Sequence, residues 1–550
     1  MQGVTPPTGP LMDRRAFLAG VVAIAVAAGC SGGDDSGDDS GDDEAGSEES
    51  PNGQAAADLP PLPDDLPASL FELGVASGDP LSDSVILWTR LVAEPLTDGG
   101  GMPAEPVPVT WEVATDEDFE DVVAEGATRA EPALAHSVHV DAGDLEPDTQ
   151  YWYRFTVGDL TSPVGRTRTA PAGDAAVDRL RFAFASCQDQ QEGHWTAHEH
   201  LAAEDLDLVF FLGDYIYEDD PRTDAVRPGR TPEPVDLAGY RLRYGEYRSD
   251  PRLQAAHARF PWVCTPDDHE VDNNYAGLNE ELPEDGGSAS DTEVFRQRRA
   301  AAYQAYYEHL PLRIDPPSGG DARIYRDLAW GSLARFYVLD TRQYRTDQGC
   351  ARPSDLGAPC AEVADPARTM LGDEQEAWLG DSLERSDATW NVLAQQVVMT
   401  RLALIPGTDD LFNLDQWDGY PASRQRVIDR LRGVSNPIVI TGDIHLSGLG
   451  VVTQDGTDPT TEPVATELVG TSISSSFPAA FVDAIGAIAS ASPAVHYAEA
   501  RHRGYVVVEL TPDGLRADYR YVSTTAEPQA ELSTGASWRV VAGNPVPEPA

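Results

Sequence analysis

Lysine is missing from this chain. All 39 basic residues among its 550 are arginines, set against 92 aspartates and glutamates, for a formal net charge of −53. A surface this acidic repels nucleic acid and anionic membranes, which excludes both as charge-driven partners. It tolerates Ca²⁺ and high salt, as suits an exported protein. Long apolar runs are also scarce. Leu18 to Ala28, broken only by Gly20, is too short for a comfortable membrane span and matches a signal-peptide core. No second stretch reads as a span. Cysteine is rare, with five residues, so each can be considered by itself. The length exceeds what a single core usually holds, and two domains are expected.

What precedes the folded part is an address and a tether. Asp13-Arg14-Arg15-Ala16-Phe17-Leu18 resembles a twin-arginine export signal, which makes the Tat export machinery an expected partner. Ala27-Ala28-Gly29-Cys30 resembles a lipobox, with alanine where leucine is usual, so Cys30 is a lipidation candidate; ordinary cleavage nearby is the rival reading. A membrane contact is expected only through that anchor. Residues 31–65, rich in Gly, Ser, Asp and Glu, have little to bury and read as an acidic disordered linker. In an exported protein Cys350 and Cys360, flanking a Pro/Gly-containing loop, are a disulfide candidate. Cys264 ends the apolar stretch from Phe260 and reads as core. Cys187 is left over and calls for an explanation.

Residues 66–170 read as all-β. Val85–Thr89, Val107–Ala114, Ser137–Asp141 and Gln150–Val157 alternate or run apolar between Gly, Pro and Asp breaks. Leu145 to Tyr153 looks like the tyrosine corner of a fibronectin-like sandwich. After a linker near Pro171–Asp178, residues 178–525 alternate short apolar runs with amphipathic stretches, an α/β pattern. Helices are expected at Trp195–Glu204, Leu237–Ala258, Glu293–His309, Asp373–Arg385 and Ser423–Arg432. Residues 526–550 form a polar tail, in which Trp538–Val541 could add a last strand and for which a role as lid is open. His194 and His198, spaced to share a helix face, are expected on solvated surface.

Six apolar runs each end in polar, mostly metal-competent groups. Leu180–Ala185 leads to Ser186-Cys187-Gln188. Leu208–Leu212 leads to Gly213-Asp214-Tyr215-Ile216-Tyr217. Pro261–Cys264 leads to Asp267-Asp268-His269-Glu270, with Asn273 and Asn274 behind. Ala334–Leu339 ends in Asp340-Thr341-Arg342, Trp390–Ala394 in Gln395-Gln396, and Ile438–Thr441 in Gly442-Asp443-Ile444-His445. Short runs buried on both faces are strands of a parallel sheet, and such sheets bind ligands at their carboxyl ends. Carboxylate and phenolate oxygens suit a hard cation. Thr471–Ser476, after the run ending at Val469, could bind substrate there or cap a turn.

This ordered set (S-C-Q, G-D-Y-I-Y-E, D-D-H-E, D-T-R-Q-Y, G-D-I-H) resembles the PhoD-like alkaline phosphatase and phosphodiesterase family, within the calcineurin-like and purple acid phosphatase group. The resemblance covers about Leu70 to Tyr521. It implies a sandwich of two mixed sheets flanked by helices, preceded by the small β-sandwich, and a phosphate-ester substrate. It also implies Fe³⁺ joined to Ca²⁺. Carried over by position, Cys187, Tyr217 and His445 look like iron ligands and Asp214 the bridge. Asp443 looks like a calcium ligand; Asp268 stands where related enzymes place a metal-binding asparagine, and Asp267 could exchange roles with it; Asn273 is a further calcium candidate. His269 stands where relatives place a histidine beside the leaving group. Arg342, planar and permanently charged, could clamp phosphate oxygens or pair with a nearby acid. Gln395-Gln396 stand where dimetal relatives use another histidine, which suggests an oxygen-rich second site. The remaining readings are a diesterase acting on lipid or teichoic-acid substrates and a surface-binding module with structural metals.

Overall fold

The computed structural model describes residues 59–280, 291–350, 356–405 and 407–550, so the export signal, Cys30 and residues 31–58 of the acidic linker lie outside the described residues. Its centre is a pair of sheets. In the larger, ten-stranded sheet, Leu180–Ala185, Leu208–Phe211 and Pro261–Cys264 run parallel and adjacent. In the smaller, seven-stranded sheet, Ala334–Val338, Trp390–Ala394, Pro437–Thr441 and Pro463–Val469 do the same. The six runs singled out in the sequence therefore divide three and three between two sheets.

Alternate side chains decide how the sheets pack. Phe182, Phe184 and Phe210 point inward against Phe336, Val392 and Ile440 of the other sheet. Rings from the two sheets meet directly, with Phe210 and Phe336 4.6 Å apart between centroids. Ala183, Ala185, Val209 and Phe211 face the opposite way, into a second core under the helices. Both faces are thus buried, which is why these strands read as unbroken apolar runs rather than alternating ones.

The segment expected as one helix over Leu237–Ala258 is two, Leu237–Arg248 and Pro251–Arg259. Pro251 occupies the first helical position and the Asp250 carboxylate accepts from Arg252 N–H, so a new helix is capped there. His198 is a second correction. It is buried, not solvated, with its Nε2 2.7 Å from Gln188 Oε1 and its ring among Trp195, Phe211 and Trp262.

The amino-terminal strands do not stand apart from this frame. Val75–Gly78 pairs parallel with Pro261–Cys264, and Val85–Arg90 and Ser137–Ala142 follow it as the far edge of the ten-stranded sheet. A five-stranded sheet that includes Val107–Ala114, Val122–Ala130 and Gln150–Val157 closes over them, enclosing Val85, Val109, Val140 and Phe155. The tyrosine corner is present: Tyr151 OH accepts from Glu146 N–H at 2.9 Å. At the other edge Leu532–Val541 and Asn544–Pro549 extend the sheet beyond Gly514–Val522. The stretch after Tyr521 is therefore largely sheet edge.

Candidate metal centre

The carboxyl ends of both parallel sets open on one place. Cys187, Asp214 and His445 bring a sulfur, a carboxylate oxygen and an imidazole nitrogen within 4.8 Å of one another. Tyr217 joins them: its hydroxyl lies 2.8 Å from Asp214 Oδ2 and 3.0 Å from His445 Nε2. His445 Nδ1 donates to Ser476 O at 3.0 Å, which leaves the Nε2 lone pair for the centre. Beside this group, Asp214 gathers with Asp268 and His269, and Asp267 and Asp268 with Asp443, again within 4.8 Å. Asn273 enters through its backbone, donating to Glu218 Oε1 at 2.7 Å.

These side chains converge because the chain turns abruptly at each strand end. Cys187, Asp214, Asp443 and His445 all have left-handed backbones, with φ of 59°, 55°, 61° and 57°. Four non-glycine residues in that region, all facing one point, mark a constrained functional site. Gly213 makes the turn before Asp214 at φ +101°, and a Cβ there would lie 2.3 Å from Asp267 Cβ. Glu270, fully buried, accepts from the N–H groups of Asp214, Tyr215 and Asp267 and so fastens two of the turns together.

The electrostatics call for cations. Asp214, Asp267, Asp268, Asp415 and Asp443 share the site with two buried guanidinium groups, Arg342 and Arg345. Asp214 Oδ1 and Asp267 Oδ2 are buried and accept no hydrogen bond, although buried carboxylate oxygens are normally satisfied. Burial raises the pKa of Asp214 and of Asp267, and raises that of Asp443 to about 7 despite Arg342. Burial also raises Asp268, but Arg342, His269 and the Asn274 N–H outweigh it and hold that carboxyl below the usual range. Burial, and then Asp214, push the Cys187 thiol and the Tyr217 phenol upward. Both therefore need a cation to become ligands. A soft sulfur, a phenol, an imidazole and a carboxylate on one side, and carboxylates alone on the other, fit two different metal ions.

Of the two readings of Arg342, the pairing with nearby acids is present in the structure. Its side chain is fully buried and each guanidinium nitrogen meets carboxylate: Nε on Asp267, Nη1 on Asp415 at 3.0 Å, Nη2 on Asp443 at 3.1 Å. It holds the carboxylates together. His269 is paired through Nδ1 with Glu218 Oε2 at 2.7 Å and stacks on the Tyr217 ring at 4.1 Å. Burial disfavours its charge, yet Glu218, Asp214 and Asp268 outweigh that and raise its pKa well above the ordinary value. Cys350 and Cys360 form a disulfide, and Cys264 is buried.

The PhoD-like phosphatase family matches residues 182–519, and its N-terminal domain matches residues 55–171. The chain belongs to the PhoD-like phosphatase family. It is 49% identical over 477 residues to alkaline phosphatase D of Bacillus subtilis strain 168, covering 85% of this chain and 80% of the relative. A solved structure of PhoD superposes with a TM-score of 0.81 at 48% identity, covering 86% of this chain and 91% of that one. This PhoD-like protein is thus a hydrolase of phosphoric esters, with the two-sheet fold and the amino-terminal β domain expected. Other residues shape the site without announcing themselves in the sequence. Glu218 and Glu270 lie inside quoted motifs and are recognisable only once their partners are seen. Asp415 and Gln416, which donates to Asp443 Oδ2 at 2.6 Å, follow the two-residue strand Phe412–Asn413. No long apolar run announces them. Ser475, from the hydroxyl run, donates to Tyr217 OH at 2.8 Å.

Proposed function

We propose that this protein is an exported phosphoesterase that hydrolyses phosphate monoesters or diesters at a mixed Fe³⁺/Ca²⁺ centre. The observation that supports it most is the convergence of Cys187, Tyr217, His445 and Asp214 beside an oxygen-only cluster. Cys187, Tyr217 and His445 would hold the iron, Asp214 would serve both ions, and Asp268, Asp443 and Asp267 would hold calcium. Bound there, the pair of ions neutralises the anionic ester and acidifies the attacking water.

The chain's own groups do the rest. Arg342 and Arg345 fix the carboxylates, so the oxygen cluster is formed before substrate arrives. His269, kept protonated by Glu218, faces the centre as the acid that returns a proton to the departing alkoxide. Ser475 and the Tyr247 hydroxyl, bonded to Tyr217 OH and Tyr217 N, hold the phenol in place.

Export by the Tat route, and anchoring through Cys30, are part of the same proposal and rest on the sequence alone. Fatty-acid labelling decides the anchor: no label on Cys30 means ordinary cleavage. The enzymatic proposal is tested by metal analysis of purified protein alongside a panel of monoesters, diesters and phospholipids. About one iron per active chain is expected, with turnover abolished in Asp214→Asn. An active, iron-free preparation would falsify the iron assignment, and a panel with no hydrolysis in the metal-loaded enzyme would remove the proposal.

A further inference from the structure

Away from the metal centre, a cavity of about 200 Å³ lies between the amino-terminal β domain and the helix Leu237–Arg248. Arg90, His136 and Arg241 line it, together with Gly99 and Ala238, and Asp98 stands exposed at its rim. None of the metal-centre residues contributes to its wall. In a chain carrying a net charge of −53, a cavity with two guanidinium groups needs a reason.

The hydrogen bonds of Arg90 supply one. Its side chain is buried, with the residue only 4% exposed. Nε donates to Ala135 O at 2.9 Å and Nη1 meets His309 Nε2. Nη2 donates to no described residue, and lies 3.6 Å from where a Cβ on Gly100 would stand. Arg241 is similar. Its Nε and Nη2 hold Glu308 and Ala133 O, while Nη1 has no bonded partner among the described residues. Glu308, a buried acid, is ion-paired with Arg241 and acts on Arg90 only through space. The turn over the cavity is Asp98–Gly101, where Gly99, Gly100 and Gly101 all have left-handed backbones, at φ of 71°, 66° and 73°. That is a backbone only glycine adopts freely, and it brings bare peptide rather than side chains up to the guanidinium. Burial, with Arg241 nearby, lowers the Arg90 pKa to about 10 in spite of Glu308, so an anion in the cavity would relieve a desolvated charge.

We propose that this cavity is a binding site for a small, doubly charged tetrahedral oxyanion, held by the free guanidinium nitrogens of Arg90 and Arg241. Planar guanidinium groups bind such oxyanions through charge-assisted hydrogen bonds. Inorganic phosphate is the candidate of that class that hydrolysis of a monoester, within the proposed function, releases. The occupant would bridge the β domain and the helix. That helix also supports the metal centre, since Arg243 donates to Tyr217 O and Tyr247 receives Tyr217 N–H.

Equilibrium dialysis of the holoenzyme against labelled inorganic phosphate, at constant ionic strength set with chloride, tests this. A phosphate site separate from competitive inhibition is expected, displaced by sulfate and not by chloride. Arg241→Gln should weaken it by about tenfold or more, while kcat/KM stays within about twofold of wild type. Ala238→Glu places a carboxylate in the wall without breaking the Arg241–Glu308 pair. It should weaken the site as much, and decides the matter if Arg241→Gln does not fold. Wild-type phosphate isotherms in the variants that fold would overturn the proposal, as would phosphate binding that tracks inhibition of hydrolysis alone.

Discussion

Replacing Arg342 by glutamine separates two roles that a buried arginine in a phosphatase could have. The side chain is fully buried and its nitrogens meet Asp267, Asp415, Asp443 and, at 3.5 Å, Asp268. Removing the cation leaves those carboxylates with Arg345, itself held by Asp415 at 2.6 Å, and with His269 beside Asp268. Breaking a buried pair from one side typically costs about 3–5 kcal/mol, because a charge is left uncompensated. Unfolding entropy of about 2 cal/mol/K per residue makes about 1 kcal/mol worth roughly one degree for a chain of this size. Arg342→Gln is therefore predicted to lower Tm by about 3–5 °C in chelator. The loss should shrink when excess Ca²⁺ is present, since a divalent cation replaces part of the missing charge. Scanning calorimetry with and without Ca²⁺ measures both, and steady-state kinetics on the same samples give kcat and KM. An unchanged Tm together with a KM raised about tenfold would refute this reasoning and return Arg342 to the role of phosphate clamp.

Further outcomes are expected. Tyr217→Phe should abolish the visible absorption that a tyrosinate–iron pair gives, with the protein still folded; persistence of the colour would mean another ligand carries it. His198, buried against aromatic rings, has its pKa lowered by burial from 6.5 to about 4. The unfolded chain then binds the extra proton first, so stability is complete above pH 6.5 and falls by about 3 kcal/mol as pH drops to 4. Denaturation of His198→Gln between pH 7 and 4.5 should show a shallower decline than wild type, and parallel curves would exclude the histidine as the cause. Gly213→Ala forces a Cβ into Asp267 Cβ at a positive φ. It should cost about 1–3 kcal/mol and lower metal content; a variant with wild-type metal content would show that the turn is not tightly set.

The sequence made the strands and their ends legible because the physics there is local. A four- to six-residue apolar run buried on both faces announces itself, as in Leu180–Ala185 and Pro261–Cys264, whose observed bounds equal those expected. The polar residue after it must then sit at the rim. Which sheet each strand joins is not local, and the six runs proved to be shared between two sheets facing across Phe182, Phe210 and Phe336. The same limit explains Arg342. A strand-end arginine looks alike whether it meets phosphate or four aspartates, and Asp415, 73 residues away in the chain, carries no signal that it will arrive there. His198 failed for the opposite reason: its spacing with His194 suggested a helix face, while the ring is placed by Trp262 and Phe211 of a sheet formed elsewhere. The groups missed share a property. Glu218, Glu270, Asp415 and Gln416 act on other side chains or peptide groups of the site. Their role is defined by a partner distant in sequence, so it emerges only when the two sheets close on each other and fix both ends of the contact.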